Sequence, residues 1–307
     1  MSVERIPIKS RGQWLALREH DVTASDVAAL FGLHQFRTLL QVYMSKIGSG
    51  EGDQGDNAAM RRGRILEPGV AVAVEEERPD WRLVKPGEYL RDTVARIGAT
   101  PDYYLHGDER GIGIVECKTA APDVFERDWA SGAPQGYVLQ CLTQMMLAGA
   151  PFGIVACLVD NRAKDLFLYD VPRHAKAETL IRHKVAQFWT AIAQGKMPSP
   201  DYQRDADAIK ALFPKDNGRG LDLSHDNRIG ALLDDRERVK AALDGAKEQL
   251  EAIDTEIKHK LGEHAEASAP GWRISHKLQK RKSYTVAETE FRVLRCTKLK
   301  ADKEAAE

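Results

Sequence analysis

The segment Gly113-Ile114-Val115-Glu116-Cys117-Lys118-Thr119 restricts this chain more than any other. Its apolar, β-branched start reads as a buried strand, yet Glu116 and Lys118 bring opposite charges into it. Side chains alternate faces along a strand, so these two project to the same side. A charge on a buried face is costly unless it is paired or holds a metal. The fold must therefore supply compensation there. Pro101-Asp102 lies a little upstream, and the loop HGDERG, 106–111, reads as a hairpin turn. A hairpin joining a strand at Ala95–Thr100 to one at Gly113–Lys118 would leave Asp102 at the end of the first strand and beside Glu116.

Two carboxylates and a lysine would then converge. A hard cation such as Mg²⁺, or Mn²⁺ in its place, takes carboxylate and carbonyl oxygens plus water. Asp102, Glu116 and the backbone carbonyl of Cys117 are the candidate ligands. Such an ion acidifies its bound water and polarises a phosphoryl oxygen, and Lys118 could orient that water or stabilise charge developing on the phosphate. This is chemistry for phosphodiester hydrolysis. Short motifs of Asp, Glu and Lys are also common on solvated surfaces. The interruption of an apolar strand on one face favours the functional reading.

The rest of the chain sets these residues in a mixed α/β frame up to about residue 200. Helices are expected from Trp14, from Val27 to Phe31 behind Thr23-Ala24-Ser25-Asp26, from Ala58 to about Glu77, from Gly136 to Ala148 and from His174 to Ala193. Further strands are expected at Tyr89–Arg91, Phe152–Val159 and Asp165–Val171. The glycine-rich GSGEGDQGDN, 48–57, reads as a loop, without the GK[ST] of a phosphate-binding loop. Trp129 and Tyr137 read as packing residues, although an aromatic near a DNA channel could wedge between bases.

Beyond Met197-Pro198-Ser199-Pro200 the texture changes, so the expected units are 1–200 and an accessory region, 201–307. Leu232, Val239, Leu243, Ala246, Leu250, Ile253, Ile257 and Leu261 form a heptad-like seam on one long charged helix, ended by Pro270-Gly271. That helix could be a coiled-coil arm toward another subunit or fold back on the first unit. The basic tail, Trp272 to Lys300, has two β-like stretches and could touch nucleic acid or simply be solvated.

Composition removes several classes. Hydrophobic residues are 43% and charged residues 30%, a globular balance. No apolar run approaches the roughly 20 residues that span a bilayer, and the charged start, MSVERIPIKSRGQW, has no apolar h-region. A cytoplasmic protein without membrane contact is expected. Cys117, Cys141, Cys157 and Cys296 form no CxxC pair and the histidines fall at no zinc-ligand spacing, so reduced thiols are expected. The net charge is −1, so any surface for nucleic acid must concentrate its positive charge locally.

Five segments in order, LREHDVTASDVAAL (17–30), MRRGRILEP (60–68), RDTVARIGATPDYYL (91–105), GIVECKT (113–119) and YVLQCLTQM (137–145), resemble the YqaJ-like viral recombinase family. That family is related to the phage lambda-type exonucleases of the PD-(D/E)xK superfamily, and the resemblance covers residues from about 8 to 200. It implies a restriction-endonuclease-like core, a central mixed sheet flanked by helices. It also implies that Glu67 points into the site to help hold metal and that Gln140 hydrogen-bonds near the nucleophile or Lys118. Arg18 and Ser25 would bind the 5′ phosphate of the resected strand, and Asp92 would be a further acid near the site, or else a solvated strand-end residue. The implied activity is 5′→3′ digestion of double-stranded DNA ends to leave 3′ single strands for a phage annealing protein, by a ring-shaped homotrimer. An endonuclease with the same site and a non-catalytic DNA-binding module are the alternatives.

Overall fold

The computed structural model describes residues 3–49, 58–160, 165–283, 285 and 288–297. The chain divides into two compact units, Met1–Phe213 and Pro214–Glu307. In the first unit the elements run β1 (Val3–Pro7), α1 (Arg11–His20), β2 (Val22–Thr23), α2 (Ala24–Leu30), α3 (Leu39–Lys46), α4 (Ala58–Glu77), β3 (Arg82–Val84), β4 (Glu88–Asp92), β5 (Ile97–Ala99), β6 (Tyr103–His106), β7 (Gly113–Ala120), α5 (Pro122–Asp128), α6 (Gln135–Ala148), β8 (Phe152–Val159), β9 (Leu166–Pro172), α7 (Ala175–Ala193) and α8 (Ala206–Leu212). The unit reaches Phe213 because α8 completes it. Ala208 packs with Leu40 and Met44 of α3, and the Thr38 hydroxyl donates to Asp205 at 2.5 Å.

Helix starts follow their caps. Ser10 accepts from the Gln13 amide ahead of α1, Thr38 and Gln41 form a reciprocal capping box on α3, and His174 accepts from the Ala177 amide on α7. Each satisfies backbone donors that the first turn leaves unpaired.

Two sheets share this unit. The larger has the order β3-β6-β7-β8-β9 and the smaller β1-β4-β5-β2. Within the larger, β6 and β7 are antiparallel, β7 and β8 parallel, and β8 and β9 antiparallel. This is the mixed sheet with flanking helices expected from the sequence. The β7–β8 crossover runs through α5 and α6, and α6 then lies on the sheet. Gly153 makes that approach possible: a Cβ there would sit 2.4 Å from the Cys141 sulfur and 2.9 Å from the Met145 sulfur. One core cluster joins α2, α6 and α7 to the sheets through Val27, Leu142, Met145, Val155 and Val185. A second lies under α4 through Val70, Val74, Leu105, Val115 and Ile154.

The expected hairpin differs in one respect. Ile97–Ala99 belongs to the smaller sheet, and β7 pairs instead with Tyr103–His106, a strand the sequence reading passed over. Thr100-Pro101-Asp102 is the break at which the chain leaves one sheet for the other, and Pro101 lacks the N–H to continue a ladder. Asp102 therefore sits at the entrance of β6 rather than at the end of β5. The short strands β1, β2 and β3 are likewise additional to the sequence expectation. Residues 50–57 of the expected glycine-rich loop lie outside the described residues.

The second unit contains α9 (Ile229–Leu261), β10 (Glu266–Ala269) and β11 (Trp272–Ser275). The long helix is as expected, with Leu243, Leu250 and Ile253 exposed along it, but it ends at Gly262. Pro270-Gly271 instead turns β10 into β11, where Gly271 has φ +76°. Of the two β-like stretches expected in the tail, β11 is the one found among the described residues there; Lys298 and Lys300 lie outside them. No described helix is long and apolar enough to cross a membrane.

Candidate active site

The β6–β7 register pairs Tyr103 with Val115, which sets Asp102 across from Glu116. The Asp102 carboxylate accepts the Cys117 backbone N–H at 2.9 Å. Glu116 is buried, 1% exposed, and its two oxygens are held separately. Lys118 Nζ donates to Oε1 at 2.5 Å, and Gln144 Nε2 donates to Oε2 at 2.6 Å. Lys118 also reaches Gln140 Oε1 at 3.4 Å and lies 4.7 Å from the centre of the Tyr137 ring. Helix α6 thus brings Tyr137, Gln140 and Gln144 down on the charged face of β7.

Charges here perturb one another. Burial pushes the Asp102 carboxyl well above the usual carboxylate range, and the negative charges of Glu116 and Glu67 push it further. Burial opposes the charge on Lys118, but Glu116 and Asp102 outweigh it and raise the ammonium above its ordinary value. The Cys117 thiol is raised well above the usual range by burial and then by Asp102 and Glu116. The surroundings therefore hold an excess of carboxylate over ammonium.

Glu67 lies on α4 just before Pro68, and its carboxylate takes Lys85 Nζ at 2.8 Å. It is close enough to raise Asp102, but it is turned toward Lys85. Among the described residues, no three His, Cys, Asp or Glu side chains are gathered tightly enough to hold an ion by themselves. The residues nonetheless fit a hard divalent cation. The donors are oxygens, and the crowded Asp102 and Glu116 carboxylates are relieved by added positive charge. The Cys117 carbonyl and water would complete such a set.

Arg18 and Ser25 do come together, with the guanidinium donating to the Ser25 hydroxyl at 3.1 Å. Arg18 Cζ also lies over the Trp14 ring, 4.4 Å from its centre. Around them is a group the sequence reading missed. Asp26, 2% exposed, pairs with Arg37 at 2.5 Å and with Lys46 at 3.4 Å, and it accepts from the Thr23 hydroxyl at 2.8 Å. Burial alone would raise Asp26, but Arg37, Lys46 and Arg18 hold it below the usual range. One carboxylate thus gathers three cations, and the cluster carries net positive charge next to Ser25.

Asp92 is elsewhere. It ends β4 in the smaller sheet, accepts the Ala95 amide at 2.9 Å and pairs with Arg182 of α7 at 2.6 Å. That is a buried structural bridge, and it corrects the reading of Asp92 as a solvated strand end. Trp129, 4% exposed, packs against Phe125, Tyr137 and Tyr169, as expected of a packing residue.

The model of the YqaJ-like viral recombinase domain matches residues 13–151. That segment is similar to a YqaJ-like viral recombinase domain. Arg18, Ser25, Asp26, Glu67, Asp102, Glu116, Lys118, Gln140 and Gln144 all fall within it, whereas β8, β9 and α7 continue the fold past the matched segment. The uncharacterized protein YqaJ of Bacillus subtilis (strain 168) is 23% identical over 263 residues, 82% of this chain and 78% of that one. Among solved structures, an alkaline exonuclease from Laribacter hongkongensis is similar at a TM-score of 0.47 and 21% identity, over 64% of this chain and 98% of that one. A phage related exonuclease from Haemophilus somnus 129PT is similar at 0.43 and 13%, over 61% and 88%.

Proposed function

We propose that this YqaJ-like domain is a divalent-metal-dependent 5′→3′ exonuclease on double-stranded DNA ends, of the kind used in phage recombination. The observation that carries the reading is the convergence of Asp102, Glu116, Lys118 and Gln140 on one face of the β6–β7 hairpin. Asp102, Glu116 and the carbonyl of Cys117 would hold Mg²⁺ or Mn²⁺, with Glu67 available from α4 once released from Lys85. When bound, the ion supplies Lewis acidity at the phosphoryl oxygens and a more acidic water.

The chain's own residues do the rest. Lys118, fixed between Glu116 and Gln140, offers a permanent ammonium to charge that grows on the phosphate in the transition state. Gln140 limits where that ammonium can point. The Tyr137 ring beneath it adds a modest cation–π attraction and shields one side from water. Arg18 and Ser25 anchor the 5′ phosphate, with a forked guanidinium suited to two phosphate oxygens. The same reading includes a homotrimeric ring around the duplex and delivery of the 3′ strand to an annealing protein in the cytoplasm of a bacterial host.

The test is digestion of linear duplex against covalently closed circular DNA in Mg²⁺ and in chelator. Linear DNA should be consumed from its 5′ ends only with metal, and closed circles should persist. Cleavage of closed circles would favour the endonuclease reading. Absence of cleavage with either metal would leave a binding module.

A further inference from the structure

In the buried stretch of α6 from Cys141 to Leu147, two side chains are polar, Thr143 and Gln144. Thr143 satisfies itself, its hydroxyl donating to the Leu139 carbonyl one turn back at 2.7 Å. Gln144 does not. It is 1% exposed, its Nε2 meets Glu116, and its Oε1 is buried with no hydrogen-bond partner among the described residues. Turning the amide over would set oxygen against carboxylate oxygen, so the contact with Glu116 fixes this orientation. An orphaned buried acceptor destabilises the fold, because the desolvation of that oxygen goes uncompensated. The neighbours Met145 and Met146 show that an unbranched apolar side chain of similar length suits this helix. What the glutamine adds over a methionine is the donor at its other end.

That donor acts on one atom. Glu116 is gripped at Oε1 by Lys118 and at Oε2 by Gln144, so its carboxylate plane cannot rotate. Gln140 and Gln144 are one helical turn apart on the same face of α6. The first meets the lysine and the second meets the glutamate of the same ion pair.

We propose that Gln144 is a positioning residue that locks the Glu116 carboxylate in the orientation from which it binds a divalent cation. The inference rests on the nuclease reading and adds a residue to it. Outer partners of metal-binding carboxylates are worth about 10–100-fold in metal affinity, and Gln144 should fall in that range.

The experiment is calorimetric titration of Mn²⁺ into the DNA-free protein, wild type and Gln144→Met, with melting temperatures recorded without metal. Gln144→Met should raise the Mn²⁺ dissociation constant about 10–100-fold while its metal-free melting stays near that of wild type. A folded Gln144→Met protein with wild-type Mn²⁺ affinity overturns the proposal and leaves the nuclease reading standing. Should Gln144→Met fail to fold, Gln144→Asn keeps the amide but is one methylene too short for Glu116. It should show the same loss, and unchanged affinity there is equally fatal. Wild type that binds no Mn²⁺ overturns both readings together.

Discussion

Arg18→Ala offers a quantitative probe of the proposed end anchor. The guanidinium is stacked on Trp14 and gives one N–H to Ser25, which leaves most of its donors for an arriving phosphate. Losing a charge-assisted hydrogen bond costs about 1.5–3 kcal/mol. At about 1.36 kcal/mol per decade, that is a loss of about 10–150-fold in rate at subsaturating DNA. The stack on Trp14 is worth about 0.5–1 kcal/mol, and its loss should show in the melting temperature rather than in end preference. Arg18→Lys should recover only part of the rate, because an ammonium has no fork. The assay is the ratio of digestion rates on 5′-phosphorylated and 5′-hydroxyl linear duplexes. Wild type should favour the phosphorylated end, and Arg18→Ala should compress the ratio toward one. An unchanged ratio would remove Arg18 from the anchor, and a wild-type preference for 3′ ends would reverse the polarity.

Lys118→Ala should bind linear duplex in gel-shift titrations close to wild type yet turn over about 10²–10³-fold more slowly, the usual loss for one transition-state stabiliser. Lost binding with normal turnover on bound DNA would refute that role. Asp26→Ala should destabilise the fold through Arg37 and Lys46, by about 3 kcal/mol rather than 5 because Arg37 is 34% exposed. Since folding depresses the Asp26 value, its stabilisation is full above the ordinary aspartate value of 3.8 and is lost as pH falls through the folded value. Urea midpoints for wild type and variant should therefore differ most at neutral pH and converge in acid. A gap that widens in acid contradicts this account.

What the sequence could and could not disclose follows from the range of each interaction. Phe152–Val159 is an uninterrupted apolar run between Pro151 and Asp160, and it forms a strand with those bounds. The helix over Ala58–Glu77 is set by local periodicity and also keeps its bounds. Strand β6 was not legible, because Tyr103-Tyr104-Leu105-His106 is only four residues of weak alternation that become a strand by pairing with β7. At the site, Glu116 and Lys118 were visible because charge interrupts an apolar strand. Gln140 and the Arg18–Ser25 pair came from the resemblance alone; in the structure Lys118 reaches Gln140 and Arg18 donates to Ser25. Asp26 looked like an ordinary first-turn acid, since its partner Lys46 lies on another helix. Gln144 looked like any helical glutamine, because only the folded crossover carries it to Glu116. Asp92 was misread for the same reason: Arg182 is 90 positions away.

The most direct test of the central claim is the rate at which linear, 5′-phosphorylated duplex is degraded by wild type, Asp102→Ala and Glu116→Ala in Mg²⁺ or Mn²⁺ and in chelator. Metal-dependent degradation by wild type is expected, with most of it removed by either substitution in protein that still folds and binds DNA. Wild-type rates from either variant, with metal still required, would place the chemistry somewhere other than the β6–β7 hairpin.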